Sequence, residues 1–386
     1  MCGIAGLISH RKVRENGKRI KRGITLQNDR GNGLGAGYAA YGIYPRYKDF
    51  YAFHVMAGDG DKMSQVNSLL EESFIIHRRE EMPVWNDKIQ EHPVFRRYFV
   101  EPGRGVVYTE ENIENEDDYT TEKIMHINST VKGGFIFSSG KNMGVFKGVG
   151  TPEDIYDFFC LDDYEGHTWL AHNRFPTNTP GWWGGAHPFS LLDMSIVHNG
   201  EISSYGINNR YLEGYGYVCN MQTDSEVVAY LLDLMIRKHG LSVADATIAL
   251  APPHWSVVER IEDEEVRGRL IAIKTIYESA MLNGPFAILA AYRGGLFSVT
   301  DNTKLRPLTV GDAGDYSYFA SEVSALYEME TELESIRTPR AGQPCVIGYI
   351  EDESDVVKGG GVEAAGGSSE DKVIEKSVVT GYGEGV

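Results

Sequence analysis

Met1-Cys2-Gly3-Ile4-Ala5-Gly6-Leu7-Ile8 opens the chain and puts a thiol one residue from the physical start of the polypeptide. The small side chain at position 2 permits removal of Met1. Cys2 would then carry a nucleophilic sulfur and a free α-amino group on one residue. An α-amino group titrates near ~7.7–8, so at neutral pH a useful fraction can take the thiol proton, directly or through a water. The run Ile4-Ala5-Gly6-Leu7-Ile8 reads as a short buried strand that holds the terminus in place. The competing reading makes Cys2 a small apolar residue at the head of a strand, the usual use of a cysteine. Partners elsewhere in the chain decide between the two.

With 386 residues and 42% hydrophobic content, the chain can build one large core, or one catalytic domain with substantial insertions. A formal charge of -18 argues against a nucleic-acid groove and against an anionic membrane surface. Cys2, Cys160, Cys219 and Cys345 are scattered, with neither a disulfide framework nor the Cys/His spacing of a zinc site, so no metal is expected. There is no basic leader with an apolar core, and no apolar run of about eighteen residues. A reducing, cytoplasmic setting is the expectation.

Further along, Arg11 to Arg22 is densely basic and reads as a solvated face. The glycine-rich Asn28 to Gly37 lacks the Gly-Lys-Ser/Thr that closes a phosphate loop and reads as a turn, with Arg30 near enough to the thiol to favour its thiolate. A helix is expected from Ser64 to Arg79, an exposed acidic loop from Glu110 to Asp118, and a helix capped by Thr151-Pro152-Glu153-Asp154. Phe286 to Tyr292 and Leu296 to Thr300 form a buried hairpin about Gly294-Gly295, and Cys345 to Ile350 a last strand. The glycines after Gly359 mark residues 351–386 as a mobile tail, apart from a short edge at Val373 to Val379. One domain over residues 2–350, with an insertion at about 40–150, is the economical organisation.

Unusual polar residues concentrate between Leu170 and Glu226. Arg174-Phe175-Pro176-Thr177 supplies a guanidinium able to clamp a carboxylate through two parallel hydrogen bonds. Ser195-Ile196-Val197-His198 leads into Asn199-Gly200, a pair whose alternative reading is a hairpin turn. Thr223 or Asp224 caps a helix whose apolar face runs from Val227 to Met235 and which stops at Gly240. As parts of a site, Arg174 and Asp224 would select the two charges of a free amino acid. The Asn199 side chain and the Gly200 N–H would hold an oxyanion.

Cys2-Gly3-Ile4, Arg30-Gly31, Arg174-Phe175-Pro176-Thr177, His198-Asn199-Gly200-Glu201 and Asp224-Ser225-Glu226, in that order, resemble the class II glutamine amidotransferases, members of the N-terminal-nucleophile hydrolases. The stretch from Arg174 through Thr179, Trp182, Ala186 and Pro188-Phe189 to Ile202 is most similar to the glutaminase domain of glutamate synthase. Asp301-Asn302, Leu305 to Leu308 and Ala320-Ser321-Glu322 match later landmarks, while about 40–150 aligns poorly.

The resemblance implies an α+β fold of four αββα layers, a thioester at Cys2, and release of glutamate and ammonia from L-glutamine. Carried over position by position, Cys2, Asn199 and Gly200 are catalytic, and Arg174, Thr177 and Asp224 bind substrate. Arg30 and His187 support the site, with His187 and Trp182 equally readable as structural pocket walls. His198 reads as a satisfied buried histidine, because the mechanism already has a base. No acceptor module is recognised in the chain. A synthase subunit is therefore expected as the ammonia acceptor, with flavin and iron–sulfur groups on that partner and no cofactor here, in an oligomer or hetero-complex. The alternatives are an amidotransferase subunit for another acceptor, such as an N-methylglutamate-type synthase, or an interaction subunit that is inactive or depends on its partner.

Overall fold

The structure, a computed structural model, describes residues 1–85, 88–103, 115–176 and 181–350. Thr177 to Thr179, residues 110–114 of the acidic run and the tail at 351–386 lie outside the described residues. The end of that run, expected as loop through Asp118, instead opens the helix Glu116–Thr130, because the Asn115 side chain caps it and its acidic first turn suits the helix dipole.

The opening apolar run forms the strand Gly3–Ser9, with every residue buried. It is central in a seven-stranded antiparallel sheet, paired on one side with Thr168–Asn173 and on the other with Tyr316–Ala320. Ala36–Tyr41 and Met143–Gly148 extend the sheet beyond the first neighbour, and Thr309–Ala313 and Ser335–Arg337 beyond the second. A second sheet runs Phe189–Leu191, Met194–Gly200, Phe286–Tyr292, Gly295–Thr300, Cys345–Gly348. The sheets pack face to face: a Cβ on Gly6 would come within 2.6 Å of Leu289 in the opposite sheet, so the missing side chain sets the approach of the layers. Helices Lys18–Thr25, Pro152–Phe158 and Val323–Met329 cover the first sheet, and Asp224–Leu232 covers the second. The result is the four-layer αββα, α+β architecture that the resemblance implies.

Between Ala36–Tyr41 and Met143–Gly148 the chain builds a third, four-stranded sheet in the order Phe74–Glu81, Val94–Pro102, Tyr51–Ala57, Gly134–Ser138. Helices Gly60–Ser73 and Glu116–Thr130 accompany it, each started by a side chain (Asp59, Asn115) that accepts a backbone N–H of the first turn. The helix expected over Ser64 to Arg79 therefore ends early. The bulky Phe74-Ile75-Ile76 switches to strand, and its ladder to Val94–Pro102 overrides the helical pattern.

Two other expectations resolve locally. Asn199-Gly200 is no hairpin turn, because the strand continues through Gly200, which pairs with Phe286; the turn comes earlier, at Leu192-Asp193. Thr223 caps the following helix by accepting the Glu226 N–H, which leaves Asp224 as the first helical residue. That helix then widens into a π-helical turn over Asp233–Lys238.

Candidate active site

Register places the thiol. Gly3 pairs with Asn173 and Ile4 with His172, so the antiparallel ladder carries Cys2 opposite Arg174 at the mouth of the sheet. The strand is anchored there. The Ser321 hydroxyl accepts the Ile4 N–H at 3.1 Å, the Ser321 N–H donates to the Ile4 carbonyl, and Gln27 Nε2 donates to that carbonyl at 3.2 Å. Cys2 Sγ accepts the Phe175 N–H at 3.3 Å. Burial pushes the thiol up from its ordinary range, while that N–H, the chain terminus and the Arg174 charge pull it down.

The second sheet and its helix supply the opposite wall. Gly200 ends its strand at φ +156°, and a Cβ there would lie 2.1 Å from the Pro285 carbonyl, so only glycine fits. Asn199, one residue earlier, is buried, and neither polar atom of its side-chain amide has a partner among the described residues. An amide left so costs about 1–3 kcal/mol, a cost that a ligand oxygen would relieve. Asp224 Oδ2 accepts the Ile202 N–H at 3.0 Å, and Oδ1 accepts the Ser225 hydroxyl at 3.1 Å. Its side chain is 25% exposed and faces the cavity.

Cys2, Arg174, His187, Gly200 and Asp224 line one cavity of about 240 Å³. That is just under the ~300–1,000 Å³ of pockets for drug-sized ligands and suits a single small metabolite. A buried guanidinium and a carboxylate in one small cavity complement a zwitterion, and the sulfur shares that cavity with Gly200. Arg30 does not line this cavity, and its Nε donates to Glu322 at 2.5 Å. The charges that act on the thiol are the chain terminus, Arg174 and Asp224.

His187 lines the cavity and belongs to a buried cluster. Its ring stacks on His172 at 3.9 Å, and its Nε2 lies 2.7 Å from Ser225 Oγ, which is also 3.0 Å from His198 Nδ1. Burial lowers all three imidazoles, His172 to about 3, so they are neutral at working pH.

Sequence reasoning missed Tyr205, Gln222 and Lys147. Tyr205 carries no local signal. Gln222 sits at φ +55° on the cavity wall, a conformation invisible in the sequence. Lys147 is fully buried, donates to the Gly184 carbonyl at 3.0 Å, lies 3.6 Å from the Met221 sulfur, and is lowered by burial to about 7. A lone lysine in the apolar strand Met143–Gly148 was its signal. Through Gly184 and Met221 it ties together the two segments that lead into His187 and Asp224. Glu226, raised by burial to about 7, holds the second segment by accepting the Met221 and Asn220 N–H groups. Among the described residues no helix is long and apolar enough to cross a membrane.

The four-layer αββα fold, with Cys2 at the head of a central strand, is that of the N-terminal-nucleophile type. The sequence model described as "Glutamine amidotransferases class-II" matches residues 75–333, about two-thirds of the chain, and the chain belongs to that family. An uncharacterised protein of Archaeoglobus fulgidus is 45% identical over 353 residues, covering 90% of this chain and 92% of that one. An amidophosphoribosyltransferase of Methanocaldococcus jannaschii is 26% identical over 203 residues, 52% of this chain and 37% of the relative. A glutamine amidotransferase-like protein GlxB of Rhizobium meliloti is also 26% identical over 203 residues, 52% of this chain and 58% of the relative. The chain therefore spans less than two-thirds of the length of these two named relatives. Among solved structures, the glutamine phosphoribosylpyrophosphate amidotransferase from B. subtilis aligns with a TM-score of 0.44 and 16% identity, over 90% of this chain and 47% of that one.

Proposed function

We propose that this chain hydrolyses L-glutamine to L-glutamate and ammonia through a thioester on Cys2. The observation that carries the reading is the meeting of Cys2, Arg174, Gly200 and Asp224, from four separate segments, around one amino-acid-sized cavity. Met1 is 59% exposed, within reach of an aminopeptidase, and its removal leaves the α-amino group on Cys2. That amine takes the thiol proton. The sulfur attacks the side-chain carbonyl carbon of glutamine, and the oxyanion that forms is received by the Asn199 amide and the Gly200 N–H. The amine then protonates the departing nitrogen, which leaves as ammonia, and the acyl group remains as a thioester. Water, deprotonated by the same amine, attacks the thioester and releases glutamate. Arg174 receives the α-carboxylate, to which the family resemblance also assigns a hydrogen bond from Thr177, and Asp224 receives the α-ammonium; these charges hold the carbonyl over the sulfur.

The finer reading assigns the ammonia to a glutamate-synthase-like acceptor on a flavin- and iron–sulfur-containing subunit in the cytoplasm. Its support is the similarity of Arg174 to Ile202 to that subfamily. The activity test is ammonia release from L-glutamine by the purified chain, with Cys2→Ala, asparagine and a des-amino glutamine beside it. Release that survives in Cys2→Ala removes the mechanism. The acceptor is tested by identifying what co-purifies with the chain: a flavoprotein supports the finer reading, and a phosphoribosyl- or sugar-aminating chain overturns it.

A further inference from the structure

Ser225 is fully buried at the second position of the helix Asp224–Leu232, yet its hydroxyl touches three polar side chains. They are Asp224 Oδ1 at 3.1 Å, His187 Nε2 at 2.7 Å and His198 Nδ1 at 3.0 Å. A hydroxyl has one proton to give and two lone pairs to accept with, and a carboxylate only accepts. The single assignment that satisfies all three contacts sends the serine proton to Asp224. Both imidazoles then donate into the serine oxygen.

Burial keeps the rings neutral, so each has one N–H, and this assignment fixes where it sits. His187 is protonated on Nε2 and His198 on Nδ1. His172 reaches the His198 carbonyl through Nε2 at 2.9 Å and is therefore protonated there. The nitrogens left over are His187 Nδ1, His198 Nε2 and His172 Nδ1. All three are buried without a partner among the described residues. One hydroxyl orientation thus accounts for three orphaned atoms as bare lone pairs, with no N–H left unsatisfied.

We propose that Ser225 is a positioning residue for α-ammonium recognition, a role that rests on the glutamine reading above. Two N–H donors polarise its hydroxyl and strengthen the bond it gives to Asp224. Ser225 holds one carboxylate oxygen and the Ile202 N–H holds the other, which fixes the plane of the carboxylate and leaves its outer lone pairs toward the cavity. Without the hydroxyl, the carboxylate turns, and the imidazole N–H groups lose their acceptor. The thiol and the oxyanion donors are untouched.

The test compares binding of L-glutamine and its des-amino analogue to the Cys2→Ala chain by calorimetry, and steady-state kinetics in the Cys2 chain, with Ser225→Ala, Ser225→Cys and Ser225→Thr. A hydrogen bond to a charged group predicts about a ten- to hundredfold loss of L-glutamine affinity in Ser225→Ala and Ser225→Cys. It predicts under about threefold change for the des-amino analogue, a KM effect larger than the kcat effect, and recovery in Ser225→Thr. Ser225→Cys is nearly isosteric and a poor donor, so it carries the test if Ser225→Ala does not fold. Equal loss for both ligands, or no loss for either, overturns the role of Ser225 while leaving the glutamine reading intact. A parent chain that neither binds nor cleaves L-glutamine overturns both.

Discussion

Acid should destabilise this protein through its buried histidines. His54, His172 and His187 are buried. Burial lowers His54 and His172 to about 3 and His187 well below its usual 6.5. In the unfolded chain each returns to about 6.5 and binds a proton that the native state refuses. Stability is therefore complete above pH 6.5 and is lost as pH falls from there toward the folded values. Moving from about pH 7.5 to 5.5 costs roughly 1.4 kcal/mol per histidine, or about 4 kcal/mol for the three. For a chain of 386 residues that corresponds to a fall in Tm of about 5 °C. Urea titrations at half-unit pH steps measure it directly, these three rings contributing about 4 kcal/mol per unit to the slope below pH 6. His54 gives the internal control. Its Nδ1 donates to the Val145 carbonyl and its Nε2 accepts the Tyr44 hydroxyl, both at 2.8 Å, outside the cavity. His54→Gln should lower the slope by about 1.4 kcal/mol per unit. Stability that is flat between pH 7.5 and 5.5 would refute the reasoning, because the rings would then be taking up protons inside the fold.

Four further outcomes follow from the site. Adding one residue ahead of Cys2 that aminopeptidases do not remove should abolish ammonia release without changing Tm, since the sulfur stays and only its base is displaced; mass spectrometry confirms the terminus. Asn199→Ala should lower kcat about 10²–10³-fold with KM nearly unchanged, read from steady-state ammonia release. Gly200→Ala should destabilise the chain by about 1–3 kcal/mol or more in urea melts and lose activity, because the new Cβ would lie 2.1 Å from the Pro285 carbonyl. Arg174→Lys should raise KM for glutamine at least tenfold, since an ammonium cannot reproduce the two parallel bonds of a guanidinium, by about 1.5–3 kcal/mol per charged bond lost.

What was legible in the sequence follows from what local chemistry can encode. The strand after Cys2, the Thr151 capping box, the Phe286 to Thr300 hairpin and the helix after Thr223 all declare themselves through period, cap or turn residues. Arg174, Gly200 and Asp224 were readable as parts because their chemistry is specific, and the structure brings them with Cys2 to one cavity. The switch from helix to strand at Phe74 was not readable, because it depends on a partner strand some twenty residues away. Nor was the strand character of Asn199-Gly200: the pair suits a tight turn, and only the ladder to Phe286–Tyr292 pulls it straight. The Arg30 partner was equally unreadable, since Glu322, nearly three hundred residues away, accepts from its Nε.

The buried polar layer beneath the cavity explains why so small a site needs so large a fold. On the glutamine reading, a carboxylate that meets an ammonium binds it best when its orientation is set before substrate arrives, so that binding needs no reorganisation. Asp224 has that orientation from Ser225 and Ile202, and Ser225 has its own from His187 and His198. His187 is in turn stacked on His172, which belongs to the strand beside Gly3–Ser9 and bonds across to His198 in the second sheet. The chain of contacts therefore runs from the strand next to the thiol, through the neutral imidazoles, to the group that meets the far end of the substrate. On the glutamine reading both ends of the amino acid are thereby referenced to one pair of packed sheets, so a shift between the layers would misplace Asp224 and the sulfur relative to one another. That coupling makes Gly6 a residue of functional weight despite its distance from the chemistry: Gly6→Ala puts a Cβ 2.6 Å from Leu289 and must part the sheets or displace that side chain. The expected result is a rise in KM for L-glutamine that exceeds the change for the des-amino analogue, with the Cys2 alkylation rate preserved. Equal changes for the two ligands would show that the layers move without carrying the recognition groups with them.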